Sequence, residues 1–514
     1  ERGYQLDVAL PSLDIPSTLR DSLVARLDRL PSAKLVVQVA AAIGRQFAYS
    51  LLRDVLELDD PVLERELDLL IEAGLLRARG KPPECEYSFG HALLQDAAYD
   101  SLLRRTRQKY HLAIAEVLES RFPDTAPEIL AHHYSEAGKP TKAITLWHSA
   151  GQAALGAWAL AEAMQHLGRG LELNATQPPS PERTADELSL RVAIGVPLML
   201  SRGYAAPEVE ETYRRAFELC SDVGDSAADR LFPALWGLWI YYQVKADYPQ
   251  AEKMGERLLD LAERSGVSDI AMGAHQALGA TRFWRGRVAA AQSHFEYALA
   301  SYDADQHGHL VYLFGQDARV FCLAFLIWVH WHNGDIERAR ACRREALRRC
   351  EDLGQPGSNG FAQFMVATFH CLVGEYALAQ GHAQTLIVLS EQQGMPHWEA
   401  YGRIAHAWAS VAHRGSDAEL ARDSAVTIRA GIDALITVGG RTSLSVWLSA
   451  LVEAELRGGR ADRAQAALDE LSQFVQSSAE RCYVPEFERL SGQVLLAAGG
   501  DERAAAGHFR RARD

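Results

Sequence analysis

Two groups of histidine and aspartate residues are the candidate metal ligands of this sequence. One alternating run consists of Asp303, Asp305, His307 and His309, and a second group consists of His330 and His332. Two metal ligands on one helix face need a spacing of three or four residues, whereas neighbouring members of each group lie two residues apart. No compact third and fourth ligand follows either group. We therefore expect histidines in loops and at helix ends, and no metal site.

The remaining reactive side chains lack the partners that catalysis needs. His132 and His133 are adjacent, and neighbouring side chains of a helix point about 100° apart, so we do not expect them to share a ligand. Cys342 and Cys350 lie in a strongly basic segment, where positive charge would lower a thiol pKa. No Ser or Cys has the sequence setting of a nucleophile elbow. The segment is therefore expected to have no catalytic residue.

Nucleotide chemistry is not expected either. The pairs Gly80–Lys81 and Gly138–Lys139 are each followed by proline, and neither belongs to the G-x-x-x-x-G-K-[ST] pattern that cradles phosphates. No strand pattern carries the two carboxylates with which a nucleotide cyclase would hold Mg²⁺. We expect no cofactor in this segment and no binding of ATP.

Aromatic side chains are concentrated in the middle of the chain. Trp and Tyr at a concave surface act as binding anchors because they combine apolar area with a hydrogen-bonding group. A spacing of three places Trp236 and Trp239 on one helix face, which is also what packing between helices requires. The alternatives of core and binding groove stay open. The candidate groove consists of Trp236, Trp239, Tyr242, Phe283, Trp284, Gln316, Asp317 and Trp331.

Repeated helix pairs must position these side chains. A turn glycine is followed five residues later by a small residue, and four residues after that by an aromatic one. The clearest copies are Gly138–Ala143–Trp147, Gly286–Ala291–Phe295 and Gly500–Ala505–Phe509. The small residues Ala251, Ala291, Ala339 and Ala379 lie 40 to 48 residues apart, against about 34 in a standard tetratricopeptide repeat. The pattern predicts an all-α, long-helix, tetratricopeptide-like superhelix whose concave face binds a protein partner or a small ligand.

A different pattern precedes the repeats. Apolar residues at helical spacing predict helices that begin at Ser17, Leu35 and Tyr49, and a fourth that is capped by Asp60 and ended by Gly74. Strands are predicted at residues 75–79 and 86–89. Helices followed by a β-hairpin indicate a small winged-helix-like segment. The fourth helix is acidic, so DNA is not expected to bind it.

Composition limits the partners. A net charge of -14 over 514 residues repels nucleic acid and anionic lipid on average. No apolar run reaches the roughly 18 residues of a membrane span, and seven scattered cysteines are typical of a reduced protein, so the expected location is the cytoplasm. The chain opens on Glu1 and not on Met, so we expect it to be part of a longer protein.

These patterns set the expected domain boundaries. The run Gln177–Pro181 contains three prolines and cannot continue a helix, which makes it the best predicted linker. The expected divisions are a lead-in segment at 1–16, a winged-helix-like domain at 17–90, helices and first repeats at 91–176, a linker at 177–184 and the repeat array at 185–514.

Several strings resemble one family of bacterial signalling proteins. The strings are Ile15–Leu30, Glu72–Leu76, Tyr87–Tyr99, Ala131–Gly138, Gly203–Glu210, Leu235–Trp239 and Gly315–Asp317. In this family an ATPase module of the signal-transduction (STAND) type, often behind a class III adenylate or guanylate cyclase domain, precedes a tetratricopeptide-like tail. The resemblance implies a regulatory segment whose ATP and Mg²⁺ belong to an upstream module in cis.

A second interpretation also fits a sensor. The chain also resembles the effector half of a transcription activator of the maltose-regulator type, in which the repeats would bind an inducer and DNA reading would lie elsewhere in the parent protein. The parent gene beyond both ends distinguishes these two interpretations. A cyclase domain would favour the signalling protein, and a DNA-binding helix-turn-helix domain would favour the transcription activator.

Overall fold

A computed structural model describes residues 29–223, 228–413 and 417–513. The predicted lead-in at 1–16 and nearly all of the helix predicted from Ser17 lie outside the described residues. Contacts divide the chain into a first unit of residues 1–150 and 172–177 and a second unit of residues 151–171 and 178–514. The second unit therefore begins before the linker predicted at 177–184. One helix ends at Ala175, two residues before that linker, and the next begins at Pro181, within it.

The first unit begins with a small mixed domain. Its elements are α1 (Lys34–Ile43), β1 (Gln46–Ala48), α2 (Tyr49–Leu56), α3 (Asp60–Glu72), β2 (Leu76–Lys81) and β3 (Glu84–Phe89). The strands form an antiparallel sheet in the order β1-β3-β2. The two predicted strands form an antiparallel hairpin as β2 and β3, and the sheet has one additional strand, β1. At three residues, β1 is too short to show an alternating pattern in the sequence.

Helix α3 follows its predicted apolar face. Leu63, Leu67 and Leu70 are fully buried, and Gly74 ends the segment with a left-handed φ of 66°. The predicted cap is wrong, because Asp60 lies inside the first turn and accepts a hydrogen bond from the Tyr49 hydroxyl at 2.8 Å.

The exposed face of α3 gives a prediction about DNA. Glu64, Asp68 and Glu72 are exposed, and the guanidinium of Arg65 lies 2.7 Å from the Glu66 carboxylate. Because this face presents negative charge, we expect duplex DNA to bind weakly and without sequence preference at about 150 mM salt. An electrophoretic mobility shift against several unrelated duplexes measures this, and nanomolar, sequence-selective binding would contradict it.

Longer helices complete the first unit. They are α4 (Ala92–Asp100), α5 (Arg104–Arg121) and α6 (Pro127–Glu136), followed by α7 (Pro140–Gly156) and α8 (Leu160–Ala175), which contribute residues to both units. In the first predicted repeat copy, Ala143, Trp147 and Ala150 are buried, as the pattern requires.

The second unit is an array of antiparallel helices. Their bounds are α9 (Pro181–Arg202), α10 (Pro207–Val223), α11 (Ala228–Val244), α12 (Tyr248–Ser265), α13 (Ser268–Trp284), α14 (Val288–Ala300), α15 (Ala304–His307), α16 (Val311–Phe314), α17 (Ala318–His332), α18 (Ile336–Leu353), α19 (Pro356–Leu372), α20 (Tyr376–Gln393), α21 (Pro396–His413), α22 (Ala418–Thr437), α23 (Leu444–Arg457), α24 (Ala461–Ser478), α25 (Val484–Ala497) and α26 (Glu502–Arg513). The predicted all-α, tetratricopeptide-like fold is confirmed.

The repeat pattern explains how the helices pack. Ala291 and Phe295 are fully buried, so the small residue permits close approach of the paired helix and the ring fills the space beside it. The last predicted copy differs. There Gly499 and not Gly500 adopts the left-handed turn conformation, and Phe509 at the end of the array is 37% exposed.

Helices α17 and α19 lie in the middle of the array and are buried nearly all round. Every residue of α17 from Val320 to His330 is buried, and so is every residue of α19 from Gly360 to Cys371. Such helices carry no polar face because they contact other helices on every side. Among the described residues no single helix is long and apolar enough to span a membrane, although the bent pair 304–314 and 318–332 passes that test when taken together.

Candidate functional site

The array closes on itself through two loops from its last third. The first closing loop comprises residues 438–443, and its backbone N–H groups at Arg441 and Thr442 donate to the Val244 carbonyl at 2.7 and 2.9 Å. At Gly439 a Cβ atom would lie 2.5 Å from the Ala205 carbonyl oxygen, so only glycine permits this approach.

The second closing loop comprises residues 479–483. The Arg481 N–H donates to the Trp284 carbonyl at 2.9 Å, and the Tyr248 hydroxyl donates to the Glu480 carboxylate at 2.8 Å. These bonds join positions about two hundred residues apart in the sequence. The interior of the array is therefore enclosed and is not an open groove.

A small cavity lies in this interior. Its volume is about 60 Å³, and its wall includes Tyr204, Trp239, Trp284, Gln316, Phe364 and Tyr401. Three of these residues, Trp239, Trp284 and Gln316, belong to the candidate groove predicted from the sequence. A volume of this size has room for only a few water molecules, because one water occupies about 30 Å³ in the liquid.

The other candidate groove residues lie elsewhere in the second unit. Trp236 is buried with its ring centroid 4.1 Å from that of Phe314, and Phe283 is buried against Trp328. Trp236, Trp239, Phe283 and Trp284 are all at most 1% exposed, so they are core residues. They are not the partly exposed anchors that an open groove would present.

The polar and half-buried members have separate environments. Asp317 is buried, where it caps α17 by accepting from the Val320 N–H at 3.0 Å and also accepts from the Tyr302 hydroxyl at 2.7 Å. Both interactions stabilise the fold. Tyr242 is half-buried beside Tyr241. Trp331 is half-buried and lines a second, larger pocket.

The larger pocket has a volume of about 570 Å³. Its wall includes Trp331, His332, Tyr376, Trp408, Ser449, Glu453, Arg457, Cys482, Tyr483, Glu486 and Arg489. These residues come from the ends of α17 and α19–α21, from α23 and α25, and from the second closing loop. The volume lies within the roughly 300–1,000 Å³ of small-molecule sites.

A charged network forms one wall of the larger pocket. Arg489 donates to Glu453 at 2.7 Å and to Glu486 at 2.7 Å. The second oxygen of Glu453 accepts from the Trp408 indole N–H at 3.2 Å. Burial raises the pKa of Glu486 against the opposing effect of Arg489. Two carboxylates and two guanidiniums, the second from Arg457, line the pocket, so its formal charge is balanced.

One wall residue has unused hydrogen-bonding capacity. The Ser449 hydroxyl is buried and has no hydrogen-bond partner among the described residues. A buried hydroxyl without a partner is costly, and a bound polar group would relieve that cost. Of the wall residues, sequence reasoning found only Trp331, because the others come from helices that are distant in the chain. A local signal is the pair Glu453 and Glu455 within the apolar run of α23, of which Glu453 lines the pocket.

The expectation that positive charge lowers the thiol pKa values of Cys342 and Cys350 is wrong. Burial raises the pKa of Cys342 to about 11 and of Cys350 to about 12, although both lie in the basic helix α18. The cost of burying a thiolate therefore exceeds the attraction of the neighbouring arginines. All seven cysteines are free, and six of them are buried.

The structure shows the contacts of two groups of histidines that the sequence analysis considered as metal ligands. In the alternating run, Nε2 of His307 and Nε2 of His309 lie 3.3 and 3.5 Å from the two oxygens of Asp269. The expectation that His132 and His133 point apart is wrong. Their ligand nitrogens and that of His111 all lie within 4.8 Å of one another. Burial lowers the pKa of His111 to about 4 and of His133 to about 3.

Comparisons with known proteins give limited matches. No family model matches the chain. An uncharacterised protein of Rhizobium meliloti (strain 1021) is 27% identical over 332 residues, which cover 63% of this chain and 32% of that protein. The chain thus spans about a third of the length of the curated relative that it matches.

Two solved structures are similar in outline. A signal transduction ATPase with numerous domains and a tetratricopeptide repeat sensor, from Pyrococcus horikoshii, has a TM-score of 0.47 at 10% identity over 86% of this chain and 62% of its own. A Rap protein complexed with competence and sporulation factor has a TM-score of 0.45 at 12% identity over 66% of this chain and 99% of its own. The chain's own helix pairs define it as a tetratricopeptide-like repeat protein, and its first unit also contains a small three-stranded sheet.

Proposed function

We propose that the repeat array is a non-catalytic sensor that binds a small neutral or zwitterionic ligand, or a peptide segment of that character, in the larger pocket. The observation that carries this proposal is a pocket of about 570 Å³ whose wall combines aromatic rings with a charge-balanced polar network. Trp331, Tyr376 and Trp408 would hold an apolar face of the ligand. Ser449 and the Glu453–Arg489–Glu486 network would hold its polar groups.

The position of the pocket gives binding a way to change the array. Trp331 and His332 lie at the end of α17, whereas Cys482 and Tyr483 belong to the second closing loop. The Nε2 atom of His332 also lies 3.4 Å from the Cys482 carbonyl oxygen. A ligand that contacts both sides binds the closed array more tightly than an open one, so it shifts the population toward closure.

The pocket residue Tyr376 provides a test. It is half-buried at the start of α20, so replacing it with alanine should weaken ligand binding by about 1 to 3 kcal/mol while changing the melting temperature little. The ligand is first found by thermal-shift screening of the 514-residue chain against amino acids, short peptides and small sugars, and affinity is then measured by calorimetry.

Tyr312→Ala is the matched control. Tyr312 is 50% exposed and is absent from the pocket wall, so its variant should bind like the unmodified chain. Equal losses of affinity in the two variants, or a ligand that binds Tyr376→Ala without loss, would place the site elsewhere.

The wider role proposed is regulatory. The resemblance to signal-transduction ATPases supports a place in a larger cytoplasmic signalling protein, with an upstream ATPase or class III cyclase module in cis. The greater length of the Rhizobium meliloti relative also supports a larger parent. Reading the parent gene tests this part separately, since a DNA-binding helix-turn-helix domain in place of a nucleotide module would favour the activator alternative without affecting the pocket.

A further inference from the structure

Three histidines from two helices meet in the first unit. His111 lies on α5, and His132 and His133 lie on α6. His111 and His133 are 1% and 2% exposed, and their Nδ1 atoms are 2.8 Å apart. The His111 ring lies 5.7 Å from the His132 ring and 5.1 Å from the His133 ring, centroid to centroid. The His111 ring from the neighbouring helix therefore contacts both His132 and His133, although these two residues are adjacent in the sequence.

A hydrogen bond fixes the orientation of His111. The Tyr99 hydroxyl lies 2.8 Å from its Nε2 atom, and the same hydroxyl lies 3.4 Å from a Glu136 carboxylate oxygen. With Nε2 engaged by Tyr99, the Nδ1 atom faces the other two histidines. Metal-binding histidines commonly have this arrangement, in which the second ring nitrogen donates to an oxygen that is itself hydrogen-bonded.

We propose that His111, His132 and His133 form a binding site for a divalent transition-metal ion, Zn²⁺ in particular. Nitrogen ligands about 2.0–2.1 Å from a tetrahedral Zn²⁺ are about 3.3 Å from one another. The ligand nitrogens here are at most 4.8 Å apart. Ring rotations that move each nitrogen by about 1 Å therefore bring all three within bonding distance of the metal. His132 is exposed, which gives the ion a route from solvent and leaves the fourth position for water.

Nearby charges set the affinity of the site. The guanidinium of Arg107 lies 4.1 Å from the centre of the Tyr99 ring and opposes a cation. Its charge is partly offset by Asp100 at 3.7 Å and by Glu136 on the other side of Tyr99. Three imidazoles with one open position form the ligand set of catalytic zinc sites, and they exclude Mg²⁺ and Ca²⁺, which prefer oxygen ligands.

Calorimetric titration of the full chain with ZnCl₂ tests the site. We expect one equivalent of Zn²⁺ to bind, together with a rise in melting temperature. His132→Ala should weaken binding at least about tenfold, and Tyr99→Phe should also weaken it by about that factor, because the outer hydrogen bond is lost. Since His132 is exposed, its variant should fold normally, as the melting temperature without metal will show. Co²⁺ in place of Zn²⁺ should give the intense visible absorption of a tetrahedral site.

His91→Ala is the matched control, because His91 is an exposed histidine at the start of α4. Its variant should bind Zn²⁺ like the unmodified chain. The proposal is wrong if no saturable binding is found, if His132→Ala binds as tightly as the unmodified chain, if His91→Ala loses as much, or if Co²⁺ gives only the weak spectrum of the hydrated ion.

Discussion

Replacing Trp284 with alanine should lower the free energy of unfolding of the repeat array by about 3 to 5 kcal/mol. The side chain is 1% exposed, and its ring centroid lies 5.3 Å from that of Phe283 and 5.7 Å from that of Trp328. Truncation therefore leaves a large cavity between α13 and α17 that the surrounding helices cannot fill. The loss should also loosen the second closing loop, because the Trp284 carbonyl accepts from Arg481.

Two matched variants separate packing from other effects. Trp284→Phe keeps a buried ring and removes only the larger indole, whose N–H has no hydrogen-bond partner among the described residues, so its loss of stability should be smaller. Trp331→Ala removes a half-buried ring at the wall of the larger pocket and should affect ligand affinity more than stability.

Thermal and chemical denaturation measure these effects, with hydrogen exchange to locate them, since a repeat array can unfold in parts. If Trp284→Ala melts at the temperature of the unmodified chain, the enclosed interior described above is wrong. If Trp331→Ala is as destabilised as Trp284→Ala, Trp331 is a core residue.

Local spacing accounts for what the sequence predicted correctly. Leu63, Leu67 and Leu70 share one helix face because of the helical period, and Gly286 with Ala291 marks a turn and the close contact that follows it. Each such feature is encoded within about ten residues. The helices and the repeat architecture could therefore be read without any knowledge of distant contacts.

The closure of the array could not be predicted in the same way. It depends largely on backbone hydrogen bonds, such as those from Arg441 and Thr442 to Val244, and these leave little trace in residue type. Without closure, the tryptophans of the middle helices are equally suited to a groove or a core. With closure, Trp236 and Trp239 are core, and the pocket of ligand size forms between α17 and the second closing loop.

Glu480 should make the stability of the array depend on pH. Its carboxyl is buried in the second closing loop, where it accepts from the Tyr248 hydroxyl at 2.8 Å and from the Ser445 hydroxyl. Burial raises its pKa from 4.5 to about 7, against the lowering effect of the hydrogen bonds from Ser445 and Tyr248. The other titratable groups around it, Tyr248, Tyr401 and Cys482, have pKa values raised by burial and stay neutral near pH 7.

The direction of the effect follows from the raised pKa. Between pH 4.5 and about 7 the folded chain keeps a proton on Glu480 that the unfolded chain has lost. The stability contributed by the neutral carboxyl is therefore complete below pH 4.5 and is lost as the pH rises through about 7. A difference of this size corresponds to about 3 kcal/mol, since one pKa unit is about 1.4 kcal/mol. Glu480→Gln keeps a neutral group of the same shape, so it should match the unmodified chain near pH 4.5 and exceed it by about 3 kcal/mol at pH 8.

Urea denaturation at several pH values between 4.5 and 8 measures this dependence. The control is Glu263→Gln, which removes an exposed carboxylate from α12 and should leave the pH profile of the unmodified chain unchanged. Because Tyr248 and Glu480 join α12 to the second closing loop, hydrogen exchange in residues 479–483 should also increase from pH 5 to pH 8 in the unmodified chain more than in Glu480→Gln, after correction for intrinsic exchange. If Glu480→Gln and the unmodified chain have parallel profiles, Glu480 is ionised in the folded array at neutral pH, and the second closing loop is open to water.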